Sequence, residues 1–188
     1  MRLRPVRPSD AAEAFRQIHG REEILKWLLW GGPRSEEELE EAFSRWSQRA
    51  RGDERRSDFL FAIVERATDR FLGTINLRFA DHPESADVGY WIAEHAWNRG
   101  YTSEAIALAT HFAFEHLDAT STYAWVFVGN EASKRVLEKN GYELVRTVYG
   151  KVERDGKKRD EWYLVLLRTD WEAREEDWRP VREEVRGS

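Results

Sequence analysis

Hydrophobic and polar positions change period along this chain. Residues 3–8 are short, apolar-alternating and closed by Pro8, the pattern of an edge strand. Ser9-Asp10 then offers an N-cap to a helix over residues 11–20, and a second helical stretch over 22–30 stops at Gly31-Gly32-Pro33. Ser35 followed by Glu38 is a capping box opening a helix to about Ala50, with Leu39, Phe43 and Trp46 on one face. From residue 59 the period shortens. Residues 59–65 and 71–79 read as strands joined by the turn Thr68-Asp69-Arg70, and 86–93 is the fourth strand of the chain. Ala105, Ala109, Phe112 and Ala113 then stand at helical spacing within 102–117. A β-branched and aromatic strand follows over 122–128. Asn130 caps a helix holding Val136 and Leu137, which Asn140-Gly141 ends. Residues 142–152 and 161–168 are strands around Asp155-Gly156, a hairpin signal, and 172–188 is a charged tail. An antiparallel front half thus precedes a strand–helix–strand–helix–strand back half.

Composition narrows the class. At 188 residues the chain has the length of one domain, counted at roughly 150 residues each. Nine Trp, nine Phe and six Tyr are too many for a disordered chain. Thirty basic against 35 acidic residues leave a formal charge of −5, which argues against a face that grips long nucleic acid. The absence of cysteine removes disulfides, thiolate zinc sites, iron–sulfur clusters and cysteine nucleophiles together. His19, His82, His95, His111 and His116 show no good metal spacing, so no metal is expected. The apolar runs are too short to span a membrane and the first residues lack a signal peptide's apolar stretch, so the expectation is a cytoplasmic protein with no membrane or nucleic-acid partner.

The chemistry concentrates in residues 87–105. A strand enters the short polar loop Trp97-Asn98-Arg99-Gly100 and a helix begins at once. Free amide hydrogens of such a helix start, together with its dipole, suit a phosphate or pyrophosphate. Gly100 lets backbone approach the anion, and Arg99 and Ser103 can add side-chain donors. The plain alternative is a strand–loop–helix connection with Gly100 for the turn and Arg99 in solvent. The segment is neither a P-loop nor a dinucleotide fingerprint, because the required Lys and further glycines are missing.

Residues 130–142 decide between these readings. Gly89-Tyr90-Trp91, Arg99-Gly100-Tyr101, Glu104-Ala105, Asn130, Ser133, Leu137-Glu138-Lys139 and Gly141-Tyr142 stand in an order and spacing that resembles the GNAT superfamily of N-acetyltransferases, closest to its Rim-type branch, which acetylates protein N-termini. The start, Ile24-Leu25-Lys26-Trp27 with the Ser35–Glu38 box, and the ending Arg154-Asp155-Gly156, Arg159-Asp160 and Tyr163 look like the same branch. The resemblance covers residues 3–171; the expected organisation is a single domain over 1–171 with 172–188 as a charged tail. Departures are Trp97 and Thr102 at the two ends of the family's cofactor signature, Asn98 for a frequent glycine, and Leu137 where many members have a tyrosine acid.

The resemblance implies a mixed α+β fold: a mostly antiparallel twisted sheet of about seven strands, splayed between the fourth and fifth, with flanking helices. It also implies acetyl-CoA as cofactor. Its pantetheine arm would lie in the splay, held by backbone of Trp91 and Ala93, with the Trp91 N–H aimed at the thioester oxygen. Asn98, Arg99, Gly100, Tyr101, Thr102 and Ser103 would take the pyrophosphate, and Asn130 would bond the pantetheine chain. Ser133 stands where the branch places the acid for the departing thiolate. Asp87 matches the position of a general base in some members; the alternatives are a surface carboxylate or proton loss to solvent. Trp30 and Asp160 are expected at the acceptor cleft. The implied activity is acetyl transfer to a primary amine, with a protein N-terminus as acceptor. A small amine (aminoacyl conjugate, polyamine or antibiotic) and a catalytically silent acyl-CoA sensor are the alternatives. A monomer or a homodimer is compatible with all three.

Overall fold

The computed structural model describes residues 1–49, 58–154 and 156–174. The expected end of the third helix at Ala50, the turn residue Asp155 and residues 175–188 of the tail lie outside them. Seven strands run β1 (Arg2–Pro5), β2 (Phe59–Val64), β3 (Phe71–His82), β4 (Ser85–Ile92), β5 (Ser121–Phe127), β6 (Glu143–Arg154) and β7 (Lys157–Leu167). Six helices run α1 (Ala11–Ile18), α2 (Glu22–Leu25), α3 (Glu36–Arg49), α4 (Tyr101–His116), α5 (Glu131–Lys139) and α6 (Arg168–Ala173). The strands form one sheet in the order β1-β2-β3-β4-β5-β7-β6, antiparallel throughout except for β4 against β5.

Strand alternation splits the apolar residues between two cores. Ile63, Ile75, Leu77, Val88, Ala124, Val126, Leu164 and Leu166 pack with α4, α5 and Trp171 on one face. Ala105, Ala109 and Ala113 bring α4 close to the strands, because methyl-sized contacts leave little between backbones. Ala62, Val64, Phe71 and Trp91 pack with α1–α3 on the other face. Tyr90 borders the first core and Trp91 belongs to the second, so adjacent residues of β4 serve opposite sides of the sheet.

Local signals hold with three adjustments. Ser35 Oγ accepts the Glu38 N–H at 3.2 Å, but the Glu38 carboxylate bonds Arg34, so only half of the capping box forms. Asp10 precedes α1 without capping it; its carboxylate takes both guanidinium nitrogens of Arg4 at 2.7 Å. The helix expected over 22–30 ends at Leu25, because the carbonyls of Leu25 and Leu28 accept the Arg154 guanidinium from the tip of the β6–β7 hairpin.

The feature that positions the site is where β4 and β5 part. Their parallel pairing comprises Ser85–Ser121, Ala86–Thr122 and Asp87–Tyr123, and then stops. β4 stays registered to β3 as far as Ile92, and β5 to β7 as far as Phe127. The sheet therefore opens as a V whose arms remain rigid.

Candidate active site

Beyond Asp87, one edge of β4 has no strand partner. The Ala93 N–H donates to the Leu72 carbonyl of β3 at 2.8 Å, and the Trp91–Thr74 register puts the Trp91 amide on that same edge. The backbone groups facing the gap are those of Tyr90 and Ile92. This corrects the expectation for Trp91 and Ala93 by one residue: antiparallel pairing alternates the direction of the peptide groups, and β3 sets the phase. The Ile92 carbonyl accepts the Trp97 indole N–H at 2.9 Å, which ties the following loop to the strand end.

That loop delivers an open helix terminus. Asn98 (φ +58°) and Gly100 (φ +80°) both adopt left-handed backbone, and Gly100 is the N-cap of α4 with no side chain bonded to the first-turn amides. A Cβ on Gly100 would meet nothing within 4 Å, so glycine is required there by the backbone angle and the space before it is open. Asn98, Arg99 and Gly100 are exposed. The Arg99 guanidinium lies 5.0 Å from the Tyr101 ring centroid, and Tyr101 Oη donates to Glu65 at 3.3 Å. Ser103 Oγ accepts from Asn140 at 3.1 Å, anchoring the first turn of α4 to the end of α5. Thr102 stands between them in that first turn.

The terminus of α5 is finished differently. Asn130 Oδ1 accepts the Ser133 N–H at 3.2 Å, so Asn130 caps its own helix. Ser133 Oγ lies 2.7 Å from the Tyr90 hydroxyl, which reaches it from β4. Burial pushes the Tyr90 phenol above its ordinary range, and the Ser133 bond offsets this in part, so the ring stays protonated at working pH. The sequence reading assigned Tyr90 no role. Its available signal was parity, since the residue beside Trp91 must face the α4–α5 side.

Asp87 sits at the base of the V, with 14% of its side chain exposed, and is ion-paired to Arg78 of β3. That carboxylate holds the Arg78 guanidinium above its usual value. Trp30 is in the loop after α2, 41% exposed. Asp160 Oδ1 accepts the Gly150 N–H at 2.8 Å and so braces the β6–β7 hairpin.

A family model described as Acetyltransferase (GNAT) domain matches residues 1–143. The chain belongs to the GNAT acetyltransferases. It is 30% identical over 142 residues to an uncharacterised N-acetyltransferase, YoaA, of Bacillus subtilis, covering 75% of this chain and 78% of that one. Among solved structures it superposes on RimJ of Mycobacterium smegmatis in complex with CoA-disulfide, with TM-score 0.78, 23% identity, and 89% and 82% of the two chains covered. It also superposes on spermidine N-acetyltransferase of Vibrio cholerae in complex with CoA and spermine, with TM-score 0.76, 19% identity, and 90% and 96% covered. These two likenesses concern the fold.

GNAT acetyltransferases use acetyl-CoA, and the residues present fit it. The unpaired edge at Tyr90 and Ile92 can bond an extended arm as a strand would, and the uncapped start of α4 faces open space where a diphosphate needs donors. On the opposite face, α1–α3 pack against Ala62, Val64, Phe71 and Trp91 of β2 to β4, and Trp125 and Tyr163, half-buried with ring centroids 4.4 Å apart, stand on β5 and β7. The α2 turn crosses above, with the Trp27 ring near Gly129 and the Arg154 latch joining the turn to the hairpin tip.

Proposed function

We propose that this acetyltransferase transfers acetyl from acetyl-CoA to the α-amino group of a protein N-terminus, with donor and acceptor bound together. The observation that carries the acceptor reading is the Arg154 latch. With the α2 turn tied to the hairpin tip, the acceptor groove of this reading, over Trp125 and Tyr163, suits a slender chain end entering amine first, and a folded surface would be held off. The thioester, when bound, supplies an activated acetyl group. Tyr90 and Ile92 backbone edges would hold the arm, and Asn98 to Ser103 would hold the diphosphate. Asp87, at the base of the V, is placed to take a proton from the incoming ammonium through water. The Tyr90 and Ser133 hydroxyls, 2.7 Å apart, bond in either direction, and with Tyr90 as donor the serine proton is free to turn to the sulfur as negative charge gathers there. Ser133 is the catalytic residue of this reading and Tyr90 its positioning residue.

The test is acetyl transfer to a panel of N-terminal peptides, read as free CoA thiol and as an acetyl mass shift on the α-amine. Turnover on peptides that is lost when the α-amine is blocked supports the reading. Turnover confined to lysine side chains contradicts it. A polyamine acceptor is the second reading. It is favoured by one observation, a buried carboxylate in the groove, Glu161.

A further inference from the structure

Beside the acceptor groove proposed above lies a buried charge that the transfer reaction does not use. Glu161 pairs with Phe127 of β5 and Val148 of β6, and only 2% of it is exposed. Among the described residues its buried Oε2 has no hydrogen-bond partner. Lys151 Nζ lies 3.2 Å from that oxygen, close enough for charge pairing but off the line of a hydrogen bond. The same ammonium lies over the Trp125 ring, which stacks on Tyr163.

An ammonium between an indole face and a carboxylate is a favourable arrangement in a partly desolvated place. Burying the carboxylate without a cation is costly. Lys151 supplies that cation from a stretch where the register of β6 with β7 shifts, between Val148 and Val152, and its four-carbon stem can swing aside. Its side chain is one-third exposed, so it can move out into solvent. Trp125 stands two residues beyond the last β4–β5 pair, roughly 7 Å along the strand from the base of the V.

We infer that Trp125 and Glu161 form a cation subsite of the acceptor groove, filled in the resting protein by Lys151 as a tethered stand-in. The acceptor carries a second ammonium or guanidinium that displaces it. This rests on the amine-acceptor reading above and narrows it to acceptors with two cationic groups. Two sources share that chemistry: a basic side chain just after a protein N-terminus, and a polyamine.

The experiment compares matched acceptors: a peptide beginning Ser-Lys against one beginning Ser-norleucine, and spermidine against butylamine. Each is measured with the wild type, Glu161→Gln and Lys151→Met. Calorimetric binding of hexyltrimethylammonium, which cannot be acetylated, runs alongside. The expected kcat/KM ratio of cationic to neutral acceptor is about tenfold in the wild type. It falls to about twofold or less in Glu161→Gln, and Lys151→Met lowers KM for the cationic member by about threefold. A ratio in the peptide pair alone assigns the subsite to protein termini, and a ratio in the amine pair alone to polyamines; both support it. Turnover without discrimination, or a ratio that survives Glu161→Gln, overturns it. If no acceptor turns over, the acceptor reading fails by itself: hexyltrimethylammonium binding that weakens in Glu161→Gln still supports the subsite, and absence of binding overturns it.

Discussion

Two helices begin near the mouth of the V, and they begin differently. α5 satisfies its own N-terminus: Asn130 Oδ1 takes the Ser133 amide, and the first turn is closed to outside partners at that point. α4 starts at Gly100 with no side chain on its first amides and open space before it. Free N-terminal amides are a cost that a helix normally relieves with a cap, by about 1 kcal/mol. An α4 left uncapped while its shorter neighbour is capped is what the diphosphate site proposed for α4 requires. The cap on α5 serves a different end, because fixing that first turn also fixes Ser133 against Tyr90.

This contrast can be broken most severely at Gly100. Gly100→Val places a β-branched residue at φ +80°, which costs about 1–2 kcal/mol of backbone strain and moves the loop. CoA affinity by calorimetry should fall by about 100-fold if several donors are lost together, some 2.7 kcal/mol. Unfolding of the free protein should change only by the strain. Next comes the α5 side. Ser133→Ala should lower kcat by about 10- to 100-fold with CoA affinity within about threefold. Tyr90→Phe should lower kcat less, and the double variant should lose little more than Ser133→Ala, because the two hydroxyls act as a unit. Equal losses in kcat and CoA affinity would make Ser133 a cofactor contact. Asn130→Ala should remove about 1 kcal/mol of stability, a fall of about 2–4 °C in Tm, through the lost cap.

The smallest effect concerns how α4 is held to the sheet. Tyr142 is buried, with Thr110 of α4 and Thr122 of β5 each 2.9 Å from its hydroxyl. Burial raises its pKa to about 12, above the ordinary phenol value. The folded state thus binds this proton more tightly than the unfolded chain. Its stabilisation is full below about pH 10 and is lost as pH rises towards 12. Denaturant midpoints measured across that window should fall less steeply in Tyr142→Phe than in the wild type.

Much of this architecture was legible from period and punctuation. The strands at 59–65, 86–93 and 122–128 and the helix at 102–117 shift by only a residue or so, since each has a regular apolar pattern between polar or turn-forming residues. Contacts between distant segments were not legible. The 22–30 stretch has helical spacing, yet Arg154, more than 120 residues away, takes two of its carbonyls. The phase of the β4 amides depends on pairing with β3, so residue types alone could not distinguish Trp91 from Ile92. For Asp87, read as a general base or a surface carboxylate, the sequence carries no sign of Arg78, which meets it only across the strand register. Glu161 read as the polar start of a strand, and only the fold buries it between Phe127 and Val148. In the site, the loop 98–103 and Ser133 were visible as motif, while Tyr90 emerged from packing.

The most direct test of the α4 terminus compares calorimetric binding of CoA with that of pantetheine, which keeps the arm and lacks the diphosphate, to the wild type and to Gly100→Val. CoA should bind the wild type at least about 100-fold more tightly than pantetheine, and most of that advantage should vanish in the variant. Equal affinity of the two ligands for the wild type, or an advantage untouched by the substitution, would contradict an anion-binding start to α4.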